Sequence, residues 1–365
     1  MKVFMQNKKR ITNAANAIKE ATQQMLNKDK NLVVMGEGVC DPKAIFDTTK
    51  DLQKKFGKSR VIETPISENG LTGITIGLSI NKIKVILIHQ RVEFALLSLE
   101  QIFNNAAKTF FVSNGIHNIP IVIRMIIGRG WGQGPAHSQS LETIFSYIPG
   151  LKVIMPGTAK DAKGMLISAI EDPNPVLILE HRWFHYVTGD VPKKIFKTNI
   201  HSPSVIKKGI DITIVSSSYG LYECIFASKI LSNFNINLEI IDLRVFRPLN
   251  ITTIYKSLKK TKKLIIFEIG FKILGIGAEI ITSLFEKDIN ILDKPPIRLG
   301  LPNLPTPSSR SLAKNYYPTA KNIIYAVTNL LQLDVEVEKK IINFFNIKTP
   351  KHEIDVPNPN FKGPF

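Results

Sequence analysis

The chain has 365 residues, 44% hydrophobic and 21% charged, which suits a soluble globular protein and excludes collagen-like, coiled-coil and largely disordered chains. Its length points to two domains. Lys and Arg number 48 against 30 Asp and Glu, a net charge of +18. Such an excess points to anionic partners, but Lys, Ile and Asn are abundant throughout, so a diffuse compositional background is the expectation.

The elements alternate along the chain. Residues 13–27 carry Ala15, Ile18, Ala21 and Met25 at helical spacing. Residues 31–36 (NLVVMG) read as a buried strand, and residues 61–68 lead through Asn69 and Gly70 into a helix with Ile74, Gly77 and Leu78 on one face. A strand at 84–89 (KVILIH), a helix over 95–108 and a strand at 120–127 (PIVIRMII) follow. Strands at 152–155 and 176–180 bracket a helix around 162–170. Continuous apolar strands separated by helices predict a parallel sheet covered on both faces.

Residues 187–205 hold turn formers without helical periodicity and read as a linker. The alternation then restarts, with strands at 211–216, 237–242 and 263–268 and helices at 221–234, 251–259 and 278–285. The expected fold class is α/β, with two doubly wound domains at 11–190 and 205–333. From 334 onward a short helix candidate at 337–345 precedes KTPKHEIDVPNPNFKGPF, whose four prolines predict an extended tail over 334–365.

Two cysteines, Cys40 and Cys224, support neither a disulfide framework nor a zinc cluster. No apolar signal stretch opens the chain and no run of 18 apolar residues occurs. A cytoplasmic setting with no membrane contact is expected.

Doubly wound domains place ligands at the carboxyl ends of their strands. Three of those ends carry unusual residues. Glu68 lies in ETPISENG at a helix start, where an acid is shielded but also favoured by the helix dipole. His89, Gln90, Arg91 and Glu93 follow the next strand, with Phe94 behind them, a residue that suits a core as well as a stacking platform. The loop GRGWGQGPAHSQ has four glycines in seven residues, which lets it pass close to a ligand, and it delivers His137 and Ser138. It lacks the Gly-Lys-Ser/Thr of a phosphate loop, so an imidazole held over a substrate is the better reading. No G-x-S-x-G elbow and no H-E-x-x-H spacing occurs.

VIETPISENGLTGITIG, EFALLSLEQIFNNAAK, GPAHSQSLE, IPGLKVIMPGTAKDAKGML and EDPNPVLILEH together resemble the beta subunit of the thiamine-diphosphate-dependent 2-oxoacid dehydrogenases, the pyruvate, branched-chain and acetoin enzymes. The resemblance spans about residues 11–330 and implies a pyrimidine-binding domain followed by a transketolase carboxyl-terminal-like domain. It implies that Glu68 contacts the pyrimidine nitrogen of thiamine diphosphate, that Phe94 stacks on the aminopyrimidine and that His137 handles protons near the reacting centre. Glu37 matches an acid near the cofactor. Ala169, Ile170, Asp172 and Asn174 match a loop that binds structural potassium through backbone carbonyls.

The Gly-Asp-Gly and Asn-Asn motif for magnesium and diphosphate is absent, since Gly189-Asp190 continues with Val191. The resemblance therefore implies a separate alpha subunit holding the magnesium, in an α2β2 heterotetramer. The implied reaction is decarboxylation of a 2-oxoacid, pyruvate first among them, with acyl transfer to a lipoyl group on an acyltransferase core. Branched-chain or acetoin dehydrogenase, or a two-chain transketolase-like enzyme, are the alternatives. Neither nucleic acid binding nor a non-catalytic basic scaffold is expected. The resemblance implies an acidic carboxyl-terminal region that docks on the core, but this chain carries Lys256, Lys259, Lys260, Lys262, Lys263, Lys272, Lys314 and Lys321, so docking by that route is not expected.

Overall fold

The computed structural model describes residues 9–350 and 354–356. Four apolar runs form the centre of the larger sheet: Leu32–Gly36, Lys84–His89, Ile121–Ile127 and Val176–His181. Nearly all their residues are buried, as parallel strands covered on both faces require. Across the sheet the order is Val245–Arg247, Lys152–Ile154, Val176–His181, Ile121–Ile127, Lys84–His89, Leu32–Gly36 and Val61–Glu63. Neighbours are parallel except at the first pair. That edge strand comes from the second half of the chain: Val245 pairs with Ile154 and Arg247 with Val153.

The second sheet runs Ile297–Leu301, Leu264–Phe271, Ile212–Ser216, Leu238–Asp242 and Ser204–Lys207, antiparallel only at the last strand. On one face of the larger sheet the helices Ala14–Lys28 and Ala159–Ile170 pack together. Small residues such as Ala14, Ala17, Ala21 and Ala162 let them approach, and Asn13 and Thr158 cap them by accepting the amides of Asn16 and Asp161. On the other face one apolar cluster runs from Val153, Met155 and Phe145 into Val215, Ile241 and Phe246, so the two domains share a core.

The structure differs from the sequence expectations in three places. The single helix expected over 95–108 is broken into the helix Val92–Ala95, a tight turn Leu96–Ser98 and a wide turn Gln101–Ala106, where the amide of Ala107 reaches back to the carbonyl of Ile102 at 3.0 Å. The hydroxyls of Ser98 and Thr109 donate to the carbonyls of Ala95 and Asn105, competing with the regular helical ladder. The linker contains a strand, Thr188–Asp190, paired antiparallel with Ile11–Asn13 and too short to show a period.

In the segment expected as an extended tail over 334–365, the helix candidate at 337–345 is a helix from Val335 to Lys348 that packs on the second domain and does not extend away from it. Its Ile341 and Phe345 are buried against the helices Gly220–Ser232 and Ala320–Leu331, with the Phe345 ring 5.6 Å from that of Phe226. Apolar residues at helical spacing override the proline-rich composition that follows them. Residues 351–353 and 357–365 of the expected tail lie outside the described residues. No described helix is long and apolar enough to cross a membrane.

Candidate active site

The strand Val61–Glu63 ends in Glu63, whose carboxylate accepts the amides of Gly38 at 2.5 Å and Cys40 at 2.8 Å. Those bonds fold the segment after Leu32–Gly36 back toward the neighbouring strand end. Glu37 is thereby brought into electrostatic reach of both Glu63 and Glu68. Burial first, then those two negative charges, raise the Glu37 carboxyl above its ordinary value. Glu68 opens the helix Glu68–Ile80 and is only 5% exposed. Among the described residues its carboxylate has no hydrogen-bond or ion-pair partner. That carboxylate is free to accept a donor brought by a ligand.

Phe94 and His137 come from different strand ends and meet, ring centroids 5.3 Å apart and planes at 90°. The loop that carries His137 is fixed by polar contacts. Gln133 accepts from Arg91 Nη2 at 2.6 Å and from Arg182 Nη1 at 2.5 Å, and the second guanidinium also donates to the carbonyl of His137. Glu93 Oε1 accepts the amide of Gln139 at 2.6 Å. Burial holds His89 down at about 4, so its imidazole is neutral, and lowers Arg91 to about 10. Gln90 joins the two halves of the site by donating to the carbonyl of Glu37 at 3.2 Å.

Beneath the site lies a fully buried charge cluster. Arg124 Nε bonds Glu180 at 2.6 Å, Glu180 also meets His185 Nε2 at 2.7 Å, and Arg124 Nη2 donates to Thr48 Oγ1 at 3.1 Å. The His185 ring stacks on Phe46 at 4.9 Å. This cluster anchors the 39–51 loop that follows Glu37.

The structure thus brings Glu37, Glu68, Phe94 and His137 to one edge of one sheet. Ala169, Ile170, Asp172 and Asn174 lie elsewhere, at the turn that leads into the amino end of Val176–His181. There the Asp172 carboxylate accepts Lys152 Nζ and the amide of Asn174, both at 2.9 Å, while Asn174 Oδ1 is buried without a partner. Among the described residues no group of three His, Cys, Asp or Glu could hold a metal ion. Sequence reasoning passed over Glu63, Gln133 and Arg182. Glu63 stands in the same motif as Glu68, whereas nothing local in the sequence marks Arg182.

Residues 12–183 match the transketolase pyrimidine binding domain, and residues 203–323 match the transketolase C-terminal domain. The pyruvate dehydrogenase E1 component subunit beta of Gracilaria tenuistipitata var. liui is 38% identical over 316 residues, 87% of this chain and 98% of that protein. The chain belongs to the beta-subunit family of the thiamine-diphosphate-dependent 2-oxoacid dehydrogenases. Within the family, the mitochondrial pyruvate dehydrogenase E1 component subunit beta of Bos taurus is 34% identical, covering 87% of this chain and 90% of its own. The Rickettsia bellii subunit is 36% identical over 85% of this chain and 96% of its own. A solved split-gene transketolase, described as an inactive beta4 tetramer, superposes with a TM-score of 0.71 at 19% identity, covering 88% of this chain and 98% of that one, and shows the shared fold.

Proposed function

We propose that this chain is the beta subunit of the decarboxylating component of a 2-oxoacid dehydrogenase complex, with pyruvate as the acid that the relatives' names support. The observation that carries the reading is Glu68, a mostly covered residue whose carboxylate no side chain among the described residues engages, in the domain that matches the pyrimidine-binding family. The residues present suit the aminopyrimidine end of thiamine diphosphate, which when bound would supply the electron sink for decarboxylation.

Glu68 would hold a proton at the ring nitrogen of the pyrimidine, and its burial makes that hydrogen bond strong. Phe94 would lie against the ring and exclude water. His137, oriented through Arg182, would move protons at the substrate or lipoyl group. Glu37, whose carboxyl is raised by burial and by the charges of Glu68 and Glu63, would stand beside Glu68 near the cofactor. An alpha subunit would hold the diphosphate and magnesium, giving an α2β2 heterotetramer that delivers acyl groups to a lipoyl acyltransferase core. Exposed Ile66, Phe111, Val112 and Ile116, from 74% to 86% accessible, offer apolar surface for such a partner. The orphaned Asn174 Oδ1 and the carbonyls of Ala169, Ile170 and Asp172 would hold structural potassium. Both cysteines are unpaired, which suits a reducing cytoplasm.

The test is co-production with an alpha-type chain and an assay of pyruvate oxidation with an artificial electron acceptor. Glu68→Gln is expected to assemble normally and to lose activity by at least about 10²-fold. Normal turnover by the assembled Glu68→Gln enzyme would overturn the proposal.

A further inference from the structure

We infer that residues 354–356 form a strap over the glycine-rich loop of the same chain, and that Asp355 is a positioning residue for His137. The inference rests on the reading above only in giving His137 a part in the reaction.

At the loop, two consecutive residues, Trp131 and Gly132, have φ of 54° and 65°. Their amides turn toward one acidic residue. The amide of Trp131 donates to the backbone carbonyl of Asp355 at 2.8 Å, and the amide of Gly132 donates to Asp355 Oδ2 at 2.6 Å. The two consecutive N–H groups thus hold one residue by its main chain and by its carboxylate. Asp355 is 4% exposed, and Ile354 beside it packs on Leu301, Ala313, Tyr316 and Tyr317.

The second domain closes the loop from another side. A Cβ at Gly132 would come within 2.9 Å of the Ser308 carbonyl oxygen, so the loop has no space to shift that way. It is gripped between Ser308 and Asp355, both far along the chain.

From the strap the contact continues inward. Gln133, next to Gly132, accepts from Arg91 and Arg182, and Arg182 donates to the carbonyl of His137. The route from Asp355 to the imidazole is therefore peptide bonds and hydrogen bonds throughout. Neither family match reaches the strap, since the second ends at residue 323. The contact belongs to this chain's own carboxyl-terminal segment.

The chain carries a built-in reporter. Its two tryptophans, Trp131 and Trp183, have ring centroids 6.4 Å apart beside the strap. The experiment compares the full chain, Asp355→Ala, Asp355→Asn and a chain ending at Pro350, each assembled with an alpha-type chain. Tryptophan emission, kcat and KM are measured for each. Asp355→Ala and the shortened chain are expected to show red-shifted emission and a kcat about tenfold lower, with KM changed less. Asp355→Asn, which keeps an oxygen acceptor for Gly132, is expected to match the full chain in both. A synthetic peptide of residues 349–365 is expected to restore emission and kcat to the shortened chain.

Unchanged emission in Asp355→Ala would overturn the strap. Shifted emission with unchanged kcat would overturn the positioning role. If the intact assembly lacks 2-oxoacid activity, the functional reading fails while the emission still decides the strap.

Discussion

The ring of Phe94 meets the imidazole of His137 edge-on, 5.3 Å between centroids, although 43 residues of chain separate them. One ring comes from the helix after Lys84–His89 and the other from the loop after Ile121–Ile127. Adjacent parallel strands deliver both to the same sheet edge. The pair ties a surface suited to stacking against a flat ligand to an imidazole that can donate or accept a proton.

His137→Ala is expected to lower kcat by about 10²- to 10⁴-fold, the range for loss of a positioned proton-transfer group. Phe94→Ala is expected to weaken cofactor binding and also lower kcat, because an edge-to-face partner worth about 0.5–1.5 kcal/mol is lost from the imidazole. The double variant is expected to be less impaired than the product of the single effects, since the rings touch. Steady-state kinetics and calorimetric titration of the assembled enzyme check all three.

Glu180→Gln is expected to destabilise the protein by about 3–5 kcal/mol, because it leaves the Arg124 guanidinium buried without its anion. Burial alone would raise the Glu180 carboxyl. The charge of Arg124, its hydrogen bonds and the bond from His185 outweigh burial and leave the carboxyl at about 2, against an ordinary 4.5. A depressed carboxyl contributes stability that is present above its unfolded value and is lost as pH falls through its folded one. Denaturant unfolding of the wild-type chain is therefore expected to weaken between pH 4.5 and about 2. The Glu180→Gln variant is expected to lose less over the same range.

Glu142 behaves in the opposite sense. Burial raises its carboxyl to about 7, helped by the nearby charge of Glu268, and its Oε2 has no partner. The folded state prefers the neutral acid, so this group's contribution is full below 4.5 and is lost as pH rises toward 7. Glu142→Gln is expected to leave stability nearly unchanged at pH 4 and to raise it at pH 8. Thermal unfolding of both proteins at the two pH values checks this.

Much of this organisation was written in local patterns. The runs NLVVMG, KVILIH and PIVIRMII announced a parallel sheet because strands covered on both faces are almost wholly apolar, with Arg124 admitted only through its bonds to Glu180. Phe94 and His137 could be singled out because each follows such a run, and Glu68 because it opens a helix after the short strand Val61–Glu63. Other features depend on distant partners and leave no local mark. Val245–Arg247 is three residues long and becomes a strand only through pairing with Lys152–Ile154. Gln133 and Arg182 matter through one another, 49 residues apart. The 95–108 segment has a helical pattern, yet its backbone bonds shift from a tight turn at Leu96–Ser98 to a wide one at Gln101–Ala106. Asp355 sits among prolines in a segment whose composition predicts no packing, and only the amides of the loop give it a place.

The strand that the second domain lends to the first domain's sheet bears on how the protein moves and comes apart. Swinging one domain away from the other would strip hydrogen bonds from Lys152–Ile154 and open the common apolar core. That coupling disfavours a hinge between the halves, so the chain acts as one rigid wall of its site. Heat or denaturant should melt it in a single transition. Access to the sheet edge that carries Glu68 and His137 then depends on what faces that wall, not on the wall itself.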